Sequence, residues 1–431
     1  MILTQSVCFM LCPGAQWCKR YFFAFEKSSM SIPRPATTPS PRQPLAPQPA
    51  LWWTAAMMVT FLAASSAPSP LYALYREAWG FSALTLTWVF GSYAFALLAA
   101  LLMCGRLSDH LGRRRVIVGA LVLEFVSVVL FWQAESVAWL LAARILQGVA
   151  TGIATSALSS MLLDLNPLRA SMMNGVAPMV GMALGALGTA ALVQFAPAPT
   201  RLVYELLLAM LAVQVVVALR LPDTVPHRPG AWASLRPQMA VPHAARGALQ
   251  RLLPANTVGW ALMGFFLSLG PTLARQVTGN AAPLTGGALI AAMVLPGALA
   301  SVAMQRRPSS LALVLGANGL ALGMVLALAG IHWHAPAAFF GGALVAGFSM
   351  GCSFSGTLRT LAPLASPQQR AGLMASFFVC SYLAFSVPAI LAGLATGWFG
   401  LHATALGYGA VLLALAVVAA LGTRGLAAAR A

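Results

Sequence analysis

The chain is poor in ionisable residues, and poorest in acidic ones. Of its 431 residues, 8 are Asp or Glu, charged residues amount to 8%, and hydrophobic residues amount to 60%. So few ionisable groups cannot cover the surface of a globule of this size, which excludes a soluble domain. The composition therefore predicts a protein that is embedded in a lipid bilayer.

The acidic residues also end early, because no Asp or Glu follows Asp223. Proton coupling through a carboxylate must therefore use the N-terminal half, and coupling through C-terminal carboxylates is excluded. The first apolar run has no acidic residue either, so we do not expect a carboxylate there to capture a cationic drug. The acidic candidates for coupling are Glu77, Asp109, Glu124, Asp164 and Glu205.

Motifs for other kinds of chemistry are missing as well. The sequence has no phosphate-binding Gly-Lys-Ser/Thr loop and no cofactor motif, so we expect a proton gradient, rather than ATP, as the driving force. No cluster of His, Asp, Glu or Cys in the apolar runs supplies a nucleophile or a metal site, so we expect neither an enzyme nor a bound metal. His332 and His334 form a short loop and lack further metal ligands.

Twelve apolar runs follow one another from Leu51 onward. Each is close to the roughly 20 residues that a helix needs to cross a bilayer. Because only helices satisfy their own backbone hydrogen bonds in lipid, the runs predict an all-α bundle. The predicted spans are 51–73, 83–105, 116–133, 137–161, 174–195, 202–221, 255–275, 284–305, 309–330, 336–359, 371–395 and 401–423.

The segments outside the spans differ in composition. Residues 1–50 hold both lysines and a Pro-rich stretch, and we expect a disordered cytoplasmic tail, with Met30 as an alternative start. Six-span halves at 51–221 and 255–424 flank a cytoplasmic linker, 222–254, and a short tail follows at 425–431. The end of the linker, His243 to Leu253, has the pattern of a basic amphipathic helix on the membrane surface.

The basic residues predict the orientation. If the N-terminus lies inside, most of the 25 Lys and Arg residues fall on the cytoplasmic side, with Arg76, Arg201 and Arg275 outside. Lys and Arg in short loops are held back from translocation, so we expect both termini in the cytoplasm. Since the basic residues do not gather on one polar domain, we expect no nucleic-acid partner.

The two halves repeat each other weakly. Ser65-x-x-Pro68 in the first span is matched by Ser268-x-x-Pro271 in the seventh. Gly148-x-x-x-Gly152 in the fourth span is matched by a second Gly-x-x-x-Gly at 347–351 in the tenth. Duplicated bundles of this kind place a substrate site near mid-membrane, where the halves meet, and expose it alternately to the two sides.

A polar turn joins the second and third spans. Its pattern Gly105-x-x-x-Asp109-x-x-Gly112-Arg113-Arg114 resembles the signature loop of the major facilitator superfamily. The resemblance implies twelve helices in two pseudo-symmetric bundles from residue 51 to the end.

The resemblance also implies a role for this turn. In the family such a cluster latches the cytoplasmic side of the outward-open state. Asp164 is the candidate acidic partner of Arg113 at the end of the fourth span. His110 replaces the usual basic residue after the aspartate. The alternative is a basic turn without a latch function, whose arginines only follow the general excess of positive charge in cytoplasmic loops.

A second pattern lies in the fourth span. Leu140-x-x-x-Arg144-x-x-Gln147-Gly148 is similar to a motif of proton-coupled transporters. An arginine this deep is costly, so it should face a cavity or a carboxylate, and Glu124 in the third span is the nearest candidate. Burial disfavours a charged carboxylate and a guanidinium favours it, so substrate or a change of conformation can tip the balance and move a proton. The alternative is a static buried pair.

A third pattern lies in the fifth span, where Ala177-Pro178-x-x-Gly181-x-x-x-Gly185 resembles the motif that marks drug–proton antiporters. Its usual Gly-Pro pair is Ala-Pro here. Small residues also let helices approach closely, so a packing role is the alternative.

The helices expected to line the central cavity are the first, fourth, seventh and tenth. They offer an apolar, aromatic surface with a few hydroxyls, which suits a lipophilic molecule better than a sugar. Such phenylalanines also face lipid or core. The candidate residues are Phe61, Thr151, Thr155, Phe265, Phe266, Ser268, Phe348, Ser353 and Phe354.

Together these patterns predict a monomeric secondary transporter of the bacterial inner membrane. We expect proton-coupled efflux of a small lipophilic organic molecule or metabolite, with the bilayer, the substrate and protons as partners. An uncoupled facilitator or importer is one alternative. A membrane sensor or scaffold that does not transport is another.

Overall fold

The computed structural model describes residues 44–226, 228–235 and 239–428, and within these residues the regular secondary structure is entirely helical. Most of the predicted tail, residues 1–43, lies outside the described residues. The first helix begins at Pro47. The predicted all-α membrane fold is confirmed by the lengths and the hydropathy of the helices.

The spans are numbered in chain order. Ten helices are long and apolar enough to cross a membrane, and the helix pair of span 7, bent by 71°, makes an eleventh. The last helix is interrupted at Gly400 (φ 75°, ψ 165°), so it contains two of the predicted spans. Spans 1–6 are Pro47–Ser66 with Pro68–Trp79, Ala83–Cys104, Arg113–Trp132, Val137–Leu165, Pro167–Phe195 and Pro199–Ala218. Spans 7–12 are His243–Ser268 with Gly270–Thr278, Pro283–Ala303, Ser309–His332, Pro336–Leu361, and the parts of Pro367–Ala428 before and after Gly400.

The sequence repeat is visible in the breaks of spans 1 and 7. Span 1 breaks at Ala67, directly before Pro68, and span 7 breaks at Leu269, two residues before Pro271. Both spans end at a glycine with positive φ, Gly80 and Gly279, a conformation that favours glycine. The two halves thus interrupt corresponding helices at corresponding places.

The Gly-x-x-x-Gly pairs show the same correspondence in packing. A Cβ atom on Gly148 or Gly152 would collide with the backbone of span 2, and one on Gly347 or Gly351 with the backbone of span 8. Spans 4 and 10, and likewise spans 2 and 8, occupy corresponding positions in the two halves. The halves contact each other where span 2 packs on span 11 and where span 5 packs on span 8. These two contacts are equivalent, because span 2 corresponds to span 8 and span 5 corresponds to span 11.

The linker differs from the sequence-based expectation at its end. The segment from His243 to Leu253 is not a separate surface helix, because one helix runs from His243 through Pro254 to Ser268 as part of span 7. Leu249 and Leu252 are buried in a cluster with side chains of spans 9, 10 and 11. These apolar contacts hold the segment against the C-terminal half.

Candidate functional site

The turn between spans 2 and 3 brings the predicted latch residues together. The Arg113 guanidinium donates to Asp109 at 2.5 Å, to Asp164 at 3.2 Å and to the Ser108 hydroxyl at 2.6 Å. Gly112 has a φ of 89°, which residues other than glycine rarely adopt, so the glycine permits the turn that precedes Arg113. The face of the bundle that carries this turn is called the basic face below.

Residues after span 6 join this cluster and were missed in the sequence. Asp223 lies 3.8 Å from Arg114, and the Thr224 hydroxyl donates to Asp164 at 2.6 Å. The linker is also tied to the turn, since the backbone N–H of Arg228 donates to the His110 carbonyl at 2.9 Å. Asp223 is the last acidic residue of the chain, and its position just after an apolar run was the available signal.

A buried polar network occupies the middle of the N-terminal half. Glu124, Arg144 and Gln147 are all fully buried. We expected Glu124 to pair directly with Arg144, but the described ion pairs contain no such contact. Gln147 joins the two instead: its carbonyl accepts from Arg144 at 2.7 Å and its amide donates to Glu124 at 3.0 Å. A glutamine has both a donor and an acceptor, so it can bridge two groups of opposite charge.

Aromatic rings and backbone carbonyls complete the surroundings of Arg144. Its guanidinium donates to the Tyr72 hydroxyl and, at 2.7 Å, to the Ser65 carbonyl. Its Nη2 and the Oε2 of Glu124 have no hydrogen bond partner in the described part of the chain. Unpaired buried polar atoms are rare in folded proteins and call for an explanation. Rings at 5.3 to 6.0 Å from the guanidinium carbon belong to Tyr72, Phe90, Tyr93 and Phe131.

A central cavity of about 660 Å³ lies between the two halves. Its lining reaches Arg306 and Arg359 at the basic face, and Arg306 is exposed there. On the opposite face, spans 1 and 7 approach each other, with Glu77 Oε1 3.9 Å from Arg275 Nη1. The described conformation is therefore open toward the basic face.

The predicted cavity residues divide into three groups. Thr151, Thr155 and Phe354 line the central cavity. Ser268 lines a smaller cavity of about 230 Å³ near the opposite face, next to Glu77 and Arg275. The remaining predicted residues do not line the central cavity; they pack within or between helices and are Phe61, Phe265, Phe266, Phe348 and Ser353.

The structure adds lining residues from spans 2, 5, 8 and 11, which were left out of the sequence-based set, and further residues from spans 1, 7 and 10. Trp260, Tyr382 and Phe385 form an aromatic wall with Phe354, with ring centroids of Trp260 and Tyr382 5.0 Å apart. Six methionines also line the cavity: Met58, Met179, Met182, Met263, Met293 and Met350. Methionine adapts to irregular apolar shapes, which suits a cavity that changes form.

The antiporter-like motif of span 5 has a clear packing geometry. A Cβ atom on Gly181 or Gly185 would collide with carbonyl oxygens of span 1, at Val59 and Ala63. Pro178 lies within the helix and lines the cavity. The two glycines thus let spans 1 and 5 touch along their backbones, as small residues do in membrane helices.

Comparisons with known proteins agree with this architecture. The family model of the Major Facilitator Superfamily matches residues 53–329, while no curated protein matches the chain significantly. A solved structure of the human organic anion transporter MFSD10 (TETRAN) is 18% identical, with a TM-score of 0.66 over 87% of this chain and 100% of that one. A mutant of the nucleoside transporter NupG is 12% identical, with a TM-score of 0.67 over 87% of this chain and 99% of that one.

At these identities the two solved structures show a shared fold only. The family model, in contrast, matches more than half of the sequence. The chain therefore belongs to the Major Facilitator Superfamily, a family of membrane transporters.

Proposed function

We propose that this protein exports a small lipophilic organic molecule or metabolite in exchange for protons, by alternating access of the central cavity. The observation that carries the proposal is the cavity itself, which lies between the halves, is lined by aromatic and methionine side chains, and reaches the basic face. Apolar cavities with few polar groups suit ligands of this kind. The two solved structures above are an organic anion transporter and a nucleoside transporter, so small organic solutes suit this fold.

Glu124 is the proposed proton carrier. It is buried in the N-terminal half, its Oε2 has no hydrogen bond partner among the described residues, and its Oε1 accepts from Gln147. The network adjoins the cavity wall, because Ser65 and Tyr93 both line the cavity. The Ser65 carbonyl also accepts from Arg144, and the Tyr93 ring lies 5.4 Å from the guanidinium. Substrate pressed against this wall would displace groups that hold Arg144, and thereby change the stability of the charged carboxylate.

The basic face is proposed to be the cytoplasmic face, because arginines concentrate there. The described conformation then receives substrate from the cytoplasm, as an exporter of the bacterial inner membrane requires. In the outward-open state the cluster around Arg113 would latch the cytoplasmic side. In the conformation described here, the Arg113 side chain is bonded within the N-terminal half, to Ser108, Asp109 and Asp164.

The proposal is tested with the purified protein in liposomes that contain a pH-sensitive dye. A panel of lipophilic antibiotics and metabolites is presented to the wild type, Glu124→Gln and Asp109→Asn. We expect at least one compound to drive proton counterflow, which Glu124→Gln abolishes and Asp109→Asn slows.

Two other results would change the proposal. Transport of compounds without proton flux, and with equal rates in Glu124→Gln, would make the protein an uncoupled facilitator with a static network. The complete enclosure of Glu124 and Arg144 is the observation that favours this second function. If no compound moves or binds, a sensor or scaffold is the better description.

A further inference from the structure

We propose that the transported molecule carries an anionic group, which binds at the basic end of the central cavity to Arg359 and Arg306 while its apolar body lies against Trp260. This inference rests on the proposed transport function and specifies its substrate class. It is drawn from the charges of the lining, from unpaired donors and from the position of the aromatic wall.

The charges that line the cavity have one sign. Arg306 and Arg359 are part of the lining, whereas no Asp or Glu is among the described lining residues. The C-terminal half cannot supply a counter-charge, because the sequence has no acidic residue after Asp223. Neither arginine takes part in the ion pairs found among the described residues. A cavity with apolar walls and charges of one sign attracts ligands of the opposite sign.

Arg359 is held in place and still has donors to offer. Its Nη1 donates to the Arg307 carbonyl at 2.6 Å and to the Gln305 carbonyl at 3.4 Å. Its Nε donates to the Ser355 carbonyl at 3.4 Å. Its Nη2 has no partner within the described part of the chain. It is shielded from solvent in this conformation, so neighbouring groups must move before a ligand can reach it. A guanidinium fixed in this way loses little freedom when it binds, and its N–H groups match the oxygens of a carboxylate or sulfonate.

Trp260 provides the second recognition element. Its indole N–H is also shielded from solvent and has no partner in the described residues. Its ring contacts the rings of Tyr382, Phe385 and Phe354, at centroid distances of 5.0, 6.1 and 6.4 Å. This wall can stack on a planar apolar body, and the N–H can donate to a second acceptor. Aromatic rings also attract cations. In this cavity, however, two arginines would repel a cation, and the described lining has no carboxylate to attract one.

The test compares three ligands that share one aromatic body and differ in charge. Binding of 2-naphthylacetate (anion), 2-naphthylacetamide (neutral) and 2-(2-naphthyl)ethylamine (cation) is measured by calorimetry with the full chain in nanodiscs of zwitterionic lipid. We expect the anion to bind at least about tenfold more tightly than the amide, as a hydrogen bond to a charged group predicts, and the amine to bind most weakly.

Three variants identify the recognition residues. Arg359→Gln is expected to reduce the preference for the anion over the amide to less than about threefold, and Arg306→Gln to reduce it by a smaller factor because Arg306 is exposed. Arg251→Gln is the matched control, since Arg251 is exposed at the start of span 7, on the same face, and does not line the cavity. It makes the same change of charge and should keep the preference. If Arg359→Gln is not monodisperse, Arg306→Gln and Trp260→Phe carry the test.

The outcomes separate this inference from the proposed function. Equal binding of the three ligands, tighter binding of the amine, or an anion preference that neither arginine variant alters would overturn the anionic substrate and leave the transporter proposal intact. Failure of 2-naphthylacetate to bind at millimolar concentration also overturns it. Failure of the transport proposal would show separately, as the absence of any compound flux in the liposome assay.

Discussion

Replacement of Gln147 by leucine is the sharpest test of the buried network. Gln147 makes hydrogen bonds to Arg144 at 2.7 Å, to Glu124 at 3.0 Å and to the Ala64 carbonyl at 3.1 Å. Leucine is similar in size and cannot make any of them. Arg144 keeps its bonds to Tyr72 and Ser65, whereas Glu124 loses the one donor that the described structure gives it.

The magnitude follows from the bond that Glu124 loses. A hydrogen bond to a charged group contributes about 1.5–3 kcal/mol, so the ionised carboxylate is destabilised by that amount relative to the neutral acid. Since about 1.4 kcal/mol corresponds to a factor of ten, the ratio of ionised to neutral Glu124 falls roughly 10- to 150-fold. A carrier that cannot release its proton cannot complete the exchange. We therefore expect substrate-driven proton flux to fall at least about tenfold, close to the level of Glu124→Gln.

The control for this substitution is Gln214→Leu. Gln214 is also buried in the N-terminal half, and it donates to the Thr60 hydroxyl at 2.7 Å, far from Glu124 in the sequence. The same change there should lower thermal stability but leave the proton flux per folded molecule within about twofold of the wild-type value. Flux is measured in liposomes and stability by thermal denaturation in detergent. Wild-type proton flux in folded Gln147→Leu would refute the role of Gln147 as the bridge.

Three further predictions concern packing and gating. Gly185→Ala should lower stability by about 1–3 kcal/mol in denaturation experiments, because its Cβ meets the Ala63 carbonyl, whereas Gly188→Ala, with open space around it, should not. Glu77→Gln should increase impermeant-maleimide labelling of a Thr272→Cys protein by about 1.5- to 5-fold, since an exposed ion pair typically contributes about 0.2–1 kcal/mol; an unchanged rate would contradict a role of the Glu77–Arg275 pair in holding spans 1 and 7 together. Asp164→Asn should slow transport without changing substrate affinity, and a change in affinity alone would contradict its position outside the cavity.

The fold could be predicted from the sequence because each apolar run has the length of one membrane crossing. The ends were less certain, and span 7 shows why. Pro254 suggested a boundary, but a proline removes only one hydrogen bond, and buried Leu249 and Leu252 hold the helix together on its N-terminal side. Contacts between distant segments thus decided a boundary that local sequence signals did not.

The candidate site was only partly predictable, for two physical reasons. Spans that are apolar all round show no stripe that marks the cavity side, so Phe265 was named although it stacks on Tyr408, while Trp260 was not. The residues of the buried network were predicted from the sequence, but the hydrogen bonds that connect them were not. Glu124, Arg144 and Gln147 are recognisable as rare polar residues in spans, but whether a charge pairs directly or through an amide depends on side-chain geometry.

The charges that the proposed exchange carries across the membrane determine how it responds to membrane potential. The carboxylate proposed to carry the proton lies in the N-terminal half, and the arginines proposed to bind the anion lie in the C-terminal half. Export of one anion against one proton moves two positive charge equivalents inward, whereas an uncoupled facilitator of the same anion moves one. Each charge contributes about 2.3 kcal/mol per 100 mV, or roughly a 50-fold accumulation ratio. At equal pH on both sides, the coupled carrier should therefore reach about the square of the ratio that the potential gives a facilitator, so the slope of accumulation against potential distinguishes the two mechanisms for the same substrate.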